Sequence, residues 1–448
     1  MFQKVLVANR GEIAVRIIRA LRELGIKTVA VYSEADREAL HTQLADEAVC
    51  IGPAPSSASY LNMEQILSAC LATGAEAIHP GFGFLSENSR FVELCEKCNI
   101  TFIGPSAEVI NRMGNKSEAR KTMEAAGVPV IPGTKEPVYT CEEAKEAAAK
   151  IGYPIMIKAS SGGGGKGMRV AENEEEFEEK FRTAQLESIK GFGDNTMYME
   201  RYIRNPKHIE FQILADKFGH VIHLGERDCS IQRNHQKVIE ESPCAVLSEE
   251  LRRKMGTAAV HAAKAAGYEN AGTVEFLLDE NKEFYFIEMN TRIQVEHPVT
   301  EMVSGIDLIR QQIYIAAGLP LNIRQEDIVL RGHAIECRIN AENPKKHFMP
   351  CPGTIENIHL PGGNGVRIDT AVFNGYQIPP NYDSMIMKVI VYDKDRASAI
   401  AKMRSTLGEV VIEGVQTNLD FQYDILNQKD FVEGNVTTHF IPEHYDMD

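Results

Sequence analysis

The chain has 448 residues, of which 44% are hydrophobic and 25% charged, a composition typical of a folded protein and unlike that of a disordered or collagen-like chain. Its 63 acidic and 48 basic residues give a formal net charge of −15, so the overall field repels nucleic acid and anionic membrane surfaces. The start of the chain does not resemble a cleavable signal, no apolar run reaches the ~20 residues of a membrane span, and nine cysteines are scattered, so we expect a cytoplasmic protein with reduced thiols and neither nucleic-acid nor membrane partners.

The first 114 residues alternate short apolar runs with amphipathic segments. Apolar runs at 5–8, 28–32 and 77–79 predict strands, and the segments between them have the apolar spacing of helices. This alternation is typical of βαβ units. We therefore predict a doubly wound parallel sheet over residues 1–114.

The rest of the chain is predicted to contain a linker and two further parts. Two prolines and a glycine near residue 130 mark a boundary, so residues 115–132 form the predicted linker. Residues 133–203 predict a small unit with a glycine run and an acidic amphipathic helix. Residues 204–448 predict a mixed region that is rich in strands and has a helix near 305–317.

Four consecutive glycines, residues 162–165, lie between two predicted strands and between Lys158 and Lys166. Ordering such a run costs backbone entropy, so it usually serves a backbone that must approach a ligand or move. A dinucleotide fingerprint would need a helix after it, and a P-loop would need Ser or Thr where Gly167 stands. We expect a hairpin that donates N–H groups to phosphates, with a mobile surface hairpin as the alternative.

Residues 275–288 predict a β-hairpin with a polar turn near 280–283. A four-residue turn would place Glu275 and Glu288 opposite each other on one face. Facing carboxylates repel each other unless a cation lies between them. Because no His or Cys accompanies them in this hairpin, the pair favours Mg²⁺ or Mn²⁺ bridging to nucleotide phosphates.

Polar residues continue beyond this hairpin with a period of two. An extended chain would place all of them on one face, where they could bind a metal and an anion and transfer a proton. A half-exposed strand with a solvated polar face is the alternative. The residues are Glu288, Asn290, Arg292, Gln294 and Glu296.

A cluster of basic residues lies in the segment 226–237. It supplies the local positive charge that an acidic protein needs in order to hold anions. On its own it would be an ordinary charged loop. Its members are Arg227, Arg233, His235 and Lys237.

Together these segments resemble the biotin carboxylase subunits of bacterial acetyl-CoA carboxylases, which belong to the ATP-grasp family. The resemblance extends over nearly the whole chain, so coincidence is negligible. The motifs that carry it are ANRGEIA at 8–14, HPGFGFLSEN at 79–88, the glycine run, ERDCS at 226–230, EMNTRIQVEHP at 288–298 and ECRINAE at 336–342.

The resemblance implies an α/β and α+β multi-domain ATP-grasp fold, with an N-terminal domain at 1–114, a linker at 115–132, a mobile lid at 133–203 and a mixed C-terminal region at 204–448. It also implies that ATP binds between the lid and the C-terminal region. The implied ATP-binding residues are Lys116, Lys158, Gly164, Gly165, Glu200, Arg201, Tyr202, Ile203, His208, Gln232, His235, Glu275 and Glu288.

The resemblance further implies how the other reactants are held. Glu275, Glu288 and Asn290 would bind two Mg²⁺ or Mn²⁺ ions. Glu296 would be the base, and Arg338 would bind biotin and stabilise carboxyphosphate and the biotin enolate. Bicarbonate would lie on Lys237, Arg292, Gln294 and the main chain of Val295, and the catalytic set would be Lys237, Arg292, Glu296 and Arg338.

The implied reaction is the ATP-dependent carboxylation of carrier-bound biotin by bicarbonate through carboxyphosphate. It is the first half-reaction of acetyl-CoA carboxylase and feeds malonyl-CoA and fatty acid synthesis. The implied partners are a biotin carboxyl carrier protein, carboxyltransferase subunits and a second copy of the chain in a homodimer. Since the sequence stops at Asp448, we expect the carrier and transferase domains on other chains.

Two positions need separate comment. Phe82 stands where many family members have Tyr, so a hydroxyl contact near the biotin site is not expected here. The stretch 385–389 is superficially similar to the Met-Lys-Met of biotinylated carriers. It lacks the preceding Ala, so Lys388 is not expected to carry biotin.

Two alternative functions share part of this pattern. An ATP-dependent carboxylate–amine ligase would have the glycine run and the Glu275 and Glu288 pair, but should lack the polar face from Arg292 to Glu296. A non-catalytic nucleotide-binding protein is the second alternative, and the intact Glu275, Glu288 and Arg292 argue against it.

Overall fold

The computed structural model of the chain describes residues 1–159, 168–192 and 195–446. The predicted glycine hairpin at 162–165 lies outside the described residues. In the described part of the chain, no helix combines the length and the apolar character that a membrane crossing requires. The chain forms two compact units: Met1–Val128 with Lys207–Phe276 and Glu288–Asp448, and Pro129–Pro206 with Leu277–Ile287.

The N-terminal part of the first unit contains five parallel strands in the order β3-β2-β1-β4-β5. Alternate residues of β1 belong to different apolar clusters: Val5 and Val7 lie in one cluster, and Leu6 lies in the other. Both faces of the sheet are therefore covered. The predicted doubly wound sheet is confirmed. The elements are β1 Lys4–Val7, α1 Gly11–Glu23, β2 Lys27–Tyr32, α2 Leu40–Leu44, β3 Glu47–Cys50, α3 Met63–Thr73, β4 Ala77–His79, α4 Ser89–Lys97, β5 Thr101–Phe102, α5 Ala107–Gly114 and α6 Lys116–Ala125.

The second unit is built around an antiparallel sheet in the order β7-β6-β8. A capping box of Thr140 and Glu143 begins its first helix. The acidic helix α8 buries Phe177 and Phe181, whose rings stack 5.9 Å apart, so it is the amphipathic helix that the sequence predicts. The elements are α7 Cys141–Ile151, β6 Ile155–Ala159, β7 Met168–Ala171, α8 Glu174–Phe192 and β8 Met197–Arg201.

An eight-stranded sheet in the order β13-β12-β9-β10-β11-β14-β19-β18 follows later in the chain. Its pairings from β9 through β18 are antiparallel. The elements are β9 Lys207–Ala215, β10 Val221–Arg233, β11 Gln236–Ser242, α9 Glu249–Ala265, β12 Asn270–Leu278, β13 Phe284–Asn290, α10 His297–Ser304, α11 Leu308–Ala316, β14 His333–Asn340, β15 Glu342–Asn343, β16 Met349–Pro350, β17 Asn357–His359, β18 Val366–Thr370, β19 Met385–Asp393, α12 Arg396–Glu409, β20 Val411–Glu413, α13 Leu419–Asn427, α14 Lys429–Glu433 and α15 Phe440–His444.

Strands β11, β14, β19 and β18 have one apolar and one charged face. The apolar face contributes residues such as Ile239, Cys337 and Val389 to a large buried cluster. Because opposite residues of antiparallel strands point to the same side, the registers of these strands collect charged residues on the other face. Those residues are Glu240, Glu336, Arg338, Lys388, Arg367 and Asp369.

The predicted extended run from Glu288 to Glu296 is wrong beyond Asn290, where strand β13 ends. The next six residues form an irregular segment, and helix α10 begins at His297 with Glu296 as its N-cap. Gln294 and Glu296 are only 3% and 2% exposed, which excludes a solvated polar face. The period-two spacing drew attention to these polar residues, but a buried irregular segment, and not a continuous strand, brings them together.

Candidate active site

The ammonium group of Lys237, at the start of β11, lies among three carboxylates from different elements. Its Nζ atom is 2.5 Å from Glu210 Oε2 on β9, 2.9 Å from Glu275 Oε1 on β12 and 2.6 Å from Glu296 Oε1. Burial disfavours a charged lysine, but these carboxylates outweigh it and raise the pKa of Lys237 well above its usual value. Lys237 is therefore a fixed positive charge at the centre of the site.

Glu296 is held between two cations. Its Oε1 accepts from Lys237, and its Oε2 accepts from Arg338, at 3.0 Å. Burial favours the neutral acid, but Lys237, Arg338 and Arg227 outweigh it and hold the pKa of Glu296 well below its usual range. The side chain is thus a carboxylate that can accept a proton. The role of Glu296 as a base stays a prediction.

Arg338, on β14, has a second counter-ion in Glu240 on the neighbouring strand. Its Nε donates to Glu240 Oε1 at 2.6 Å. Burial is the largest influence on Glu240 and raises its pKa to about 7, although the charge of Arg338 acts in the opposite direction. The sequence did not single out Glu240, because no pattern of spacing connects it with Arg338.

Glu275 collects polar groups around its carboxylate. Its Oε1 accepts from the amides of Asn290 and Gln294, both at 2.8 Å, and its Oε2 lies 3.0 Å from His208 Nε2. The Nδ1 of His208 is in turn 3.0 Å from the amide nitrogen of Gln232. Burial opposes ionisation of Glu275, but Lys237 and His208 outweigh it and hold the pKa well below the usual value.

The predicted metal ligands fit a hard divalent cation. Glu288 is half-buried, and its carboxylate makes no hydrogen bond to any described residue. Burial, followed by the negative charge of Glu275, raises the pKa of Glu288. The charges of Lys116, His208 and Lys237 offset this only in part, so a cation at this point would relieve the remaining repulsion. Two carboxylates and the Asn290 amide oxygen are the ligand type that Mg²⁺ and Mn²⁺ prefer. In this structure that oxygen accepts from Arg292 at 3.2 Å.

Arg292 is fixed by a residue to which the sequence gave no role. Its Nε donates to Glu87 Oε2 at 2.9 Å, and the other oxygen of Glu87 accepts from the main chain and the hydroxyl of Thr291. Glu87 belongs to the HPGFGFLSEN motif, which served for recognition alone. A carboxylate inside such a loop was the available signal.

Arg227, on β10, is the third residue whose role the sequence did not reveal. It is fully buried, and its guanidinium makes five hydrogen bonds to side chains of neighbouring elements. It thereby fixes the amide of Gln294, whose oxygen lies 2.7 Å away. The sequence indicated Arg227 only as local positive charge. Its partners are Glu210, Gln212, Thr273, Gln294 and Thr300.

The structure thus brings most predicted site residues of the first unit together, in contact with one another. Two of the other predicted residues are exposed. His235 is exposed in the two-residue turn between β10 and β11, and Lys116 is the exposed first residue of α6. The residues brought together are His208, Gln232, Lys237, Glu275, Asn290, Arg292, Gln294, Glu296 and Arg338.

The predicted nucleotide-binding residues of the second unit lie on its small sheet. Lys158, on β6, pairs with Glu200 on the adjacent strand β8. Arg201 ends β8 and donates to the carbonyl of Ile151 at 3.0 Å. Tyr202 and Ile203 follow directly. Gly164 and Gly165 lie outside the described residues.

Three family profiles match the chain in order. They are described as biotin carboxylase, N-terminal domain, over residues 1–110; carbamoyl-phosphate synthase L chain, ATP binding domain, over residues 115–324; and biotin carboxylase C-terminal domain, over residues 336–443. Biotin carboxylase 1 of Bacillus subtilis is 58% identical over 448 residues, which cover 100% of this chain and 99% of that protein. The chain belongs to the biotin carboxylase family.

Two further comparisons show how widely this family is used. A pyruvate carboxylase subunit of Methanothermobacter thermautotrophicus is 56% identical, over 99% of this chain and 90% of that protein. The biotin carboxylase domain of the 2-oxoglutarate carboxylase of Hydrogenobacter thermophilus, solved as a dimer with MgADP, ADP and bicarbonate, has a TM-score of 0.89 and 53% identity. The alignment covers 99% of this chain and 98% of that one.

Family membership confirms the predicted ATP-grasp fold and the predicted class of enzyme. The chain is a ligase that carboxylates biotin at the expense of ATP. Both alternatives, the carboxylate–amine ligase and the non-catalytic nucleotide-binding protein, are therefore set aside.

The raised pKa of Glu240 predicts a pH dependence of stability. Its ordinary value is 4.5, and in the folded chain it is about 7, so folding retains a proton that the unfolded chain releases. The associated stability is complete below pH 4.5 and is lost as the pH rises towards 7. Between pH 4.5 and 7, the free energy of unfolding of Glu240→Gln should fall less than that of the unmodified chain. We expect the two decreases to differ by roughly 1 to 3 kcal/mol.

Denaturant unfolding at several pH values measures this difference. Glu413→Gln, on the exposed strand β20, is the matched control and should follow the unmodified chain. Equal pH slopes for the Glu240→Gln variant and the unmodified chain would contradict the assignment.

Proposed function

We propose that this chain carries out the biotin carboxylase half-reaction of an acetyl-CoA carboxylase, with bicarbonate, ATP and biotin on a biotin carboxyl carrier protein as reactants. The product would supply malonyl-CoA and fatty acid synthesis. The observation that carries the proposal is the carboxylate of Glu296, held ionised between Lys237 and Arg338 and two residues from Gln294.

Bicarbonate is proposed to bind against Lys237, Arg292, Gln294 and the main-chain N–H of Val295. Glu296 takes the bicarbonate proton, and the resulting oxygen attacks the γ-phosphorus of ATP, so that ADP leaves and carboxyphosphate forms. The cations already in place offset charge on the transferring phosphoryl group without reorganisation.

Carboxyphosphate then breaks down to CO₂ and phosphate. Phosphate takes the proton from the ureido nitrogen of biotin, and the nitrogen attacks CO₂. Arg338 is proposed to stabilise the biotin enolate. Once Glu296 has been protonated, Arg338 has lost one of its two counter-ions, so its charge becomes available to an anion.

ATP is proposed to bind with its phosphates near Lys116, Lys158, Gly164 and Gly165. The segment from Glu200 through Arg201 and Tyr202 to Ile203 would bind the adenine edge, and His208, Gln232 and His235 would approach the nucleotide. The nucleotides in the Hydrogenobacter structure support a nucleotide site in this fold.

Glu275, Glu288 and Asn290 are proposed to hold Mg²⁺ or Mn²⁺, with two ions in the complete site. Bound there, the metal neutralises phosphate charge during phosphoryl transfer. The Glu288 carboxyl, whose pKa is raised by burial and by the charge of Glu275, is the feature of this chain that supports the assignment.

The partners are also part of the proposal. They are the biotin carboxyl carrier protein, carboxyltransferase subunits and a second copy of the chain, in the cytoplasm. The dimer formed by the Hydrogenobacter domain supports the homodimer. The division into residues 1–114, 115–132, 133–203 and 204–448 is proposed as the functional arrangement of N-terminal domain, linker, lid and C-terminal region.

The purified chain should cleave ATP in a bicarbonate-dependent manner, and free biotin should stimulate ADP release. A coupled assay of ADP with bicarbonate or biotin omitted in turn measures this. Because carboxyphosphate formation requires bicarbonate, turnover that ignores both compounds would contradict the proposed reaction.

Glu296→Gln should lower biotin carboxylation by about 10²- to 10⁴-fold, the usual contribution of a positioned base. Nucleotide binding should remain close to that of the unmodified chain, because the proposed ATP site does not include Glu296. Carboxybiotin formation and fluorescent-nucleotide binding measure the two effects. Glu326→Gln, at an exposed position, is the control, and full carboxylation by Glu296→Gln would remove Glu296 from the base role.

The choice of acetyl-CoA carboxylase needs its own test, because relatives of similar identity belong to carboxylases of keto acids. The chain should support malonyl-CoA formation when it is combined with a biotinylated carrier and an acetyl-CoA carboxyltransferase. It should not support pyruvate carboxylation with a pyruvate carboxyltransferase. Radiolabelled bicarbonate traces both products, and the reverse preference would assign the chain to a keto-acid carboxylase.

A further inference from the structure

The main chain around Val295 is held by two buried side chains that the proposed reaction does not use. His297 Nδ1 lies 2.8 Å from the carbonyl oxygen of Gln294, and Lys388 Nζ lies 2.8 Å from the carbonyl oxygen of Val295. We propose that Lys388 is a positioning residue that orients the Val295 main chain for bicarbonate. This inference rests on the proposed binding of bicarbonate to the Val295 N–H.

The segment needs such support because it lies between regular elements. Strand β13 ends at Asn290 and helix α10 begins at His297, so residues 291–296 have no ladder of main-chain hydrogen bonds. Among the described residues, the N–H of Val295 has no hydrogen-bond partner. A peptide unit is planar, so fixing the carbonyl of Gln294 also fixes the direction of the Val295 N–H. Lys388 fixes the next peptide unit through the Val295 carbonyl, so the two bonds hold both peptide units that flank the Val295 Cα.

His297 holds the Gln294 carbonyl as a neutral ring. It is fully buried, and burial together with the charges of Lys388, Arg16 and Arg367 holds its pKa well below the usual value. A neutral imidazole has one N–H, which must be on Nδ1 to donate to the Gln294 carbonyl.

Lys388 holds the Val295 carbonyl with an ammonium group whose burial costs free energy. The residue is 0% exposed, and its Nζ lies 3.2 Å from Glu12 Oε1 on α1 and 3.8 Å from Asp369 Oδ2 on β18. Asp369 is also held by Arg367, through contacts of 2.9 and 2.7 Å. Within the described chain, the Val295 carbonyl is therefore the main-chain group to which Lys388 donates.

Charge pairing alone does not account for this arrangement. Buried ion pairs are often no more stabilising than apolar residues of the same volume. If Glu12 and Lys388 served stability alone, a pair of neutral residues could replace them. The hydrogen bond to Val295 is the contact that a neutral pair could not replace. The same burial makes Lys388 inaccessible to a biotinylating enzyme, in agreement with the sequence.

The test compares Lys388→Met, Glu12→Gln and the double variant with the unmodified chain. Lys388→Met leaves Glu12 as an unpaired buried carboxylate, so it should be less stable. The double variant leaves neither charge of this pair buried, so it is the variant that carries the kinetic test if Lys388→Met fails to fold.

In bicarbonate-dependent ADP release, the double variant should show a KM for bicarbonate raised by about tenfold, with the KM for ATP within about twofold of the unmodified value. Glu12→Gln retains the lysine and should keep the KM for bicarbonate of the unmodified chain, even where thermal unfolding shows lower stability. A merely structural role would change stability without separating the two KM values.

A double variant that folds with an unchanged KM for bicarbonate would overturn the inference, as would an equal rise of this KM in Glu12→Gln. Failure of the proposed function itself looks different, because the unmodified chain would then lack bicarbonate-dependent ADP release. The two failures are therefore distinguished by the unmodified chain alone.

Discussion

Three buried carboxylates share the ammonium group of Lys237, and the site depends on that charge. Glu210, Glu275 and Glu296 come from separate elements and lie within 2.9 Å of one nitrogen atom. Removing one partner of a buried ion pair typically costs ~3–5 kcal/mol, a large part of the ~5–15 kcal/mol by which domains are stable. Lys237 therefore supports the fold of the sheet, and in the proposed reaction the same charge binds bicarbonate.

This concentration of charge explains how an acidic protein can handle anionic reactants. The net charge of −15 describes the chain as a whole, whereas Lys237 and Arg338 are only partly exposed and are held in fixed positions by carboxylates. Arg338 shares its charge between Glu240 and Glu296, and protonation of either carboxylate changes the charge that remains. In the proposed reaction, these cations would exchange counter-ions for substrates while the main chain stays in place.

Much of the fold and of the site could be predicted from the sequence, because apolar alternation and long motifs are local signals. The N-terminal parallel sheet and the grouping of Glu275, Gln294 and Glu296 are examples. Strand β3 was not predicted, since its apolar run is short and its side chains are mostly exposed. The prediction of an extended chain after Asn290 was wrong, because period-two spacing does not distinguish a strand from a buried irregular turn.

The residues that sequence reasoning missed act through contacts between distant segments. Glu87 holds Arg292, Arg227 holds Gln294, and Lys388 holds the main chain of Val295. Each of these pairs is separated by many residues, and no local spacing connects its members. Their roles follow from contacts that form only in the folded chain, which a single sequence does not specify.

The charged face of strands β14 and β19 also constrains how this chain can change over time. Glu12 lies near the beginning of the chain and Lys388 near its end, yet each balances the other in the interior. A substitution of Lys388 alone would leave the Glu12 carboxylate without this partner, so we expect changes at the two positions to be coupled. On the apolar face, Val389 and its neighbours tolerate single substitutions by residues of similar volume. The two faces of one strand should therefore accept substitutions at different rates.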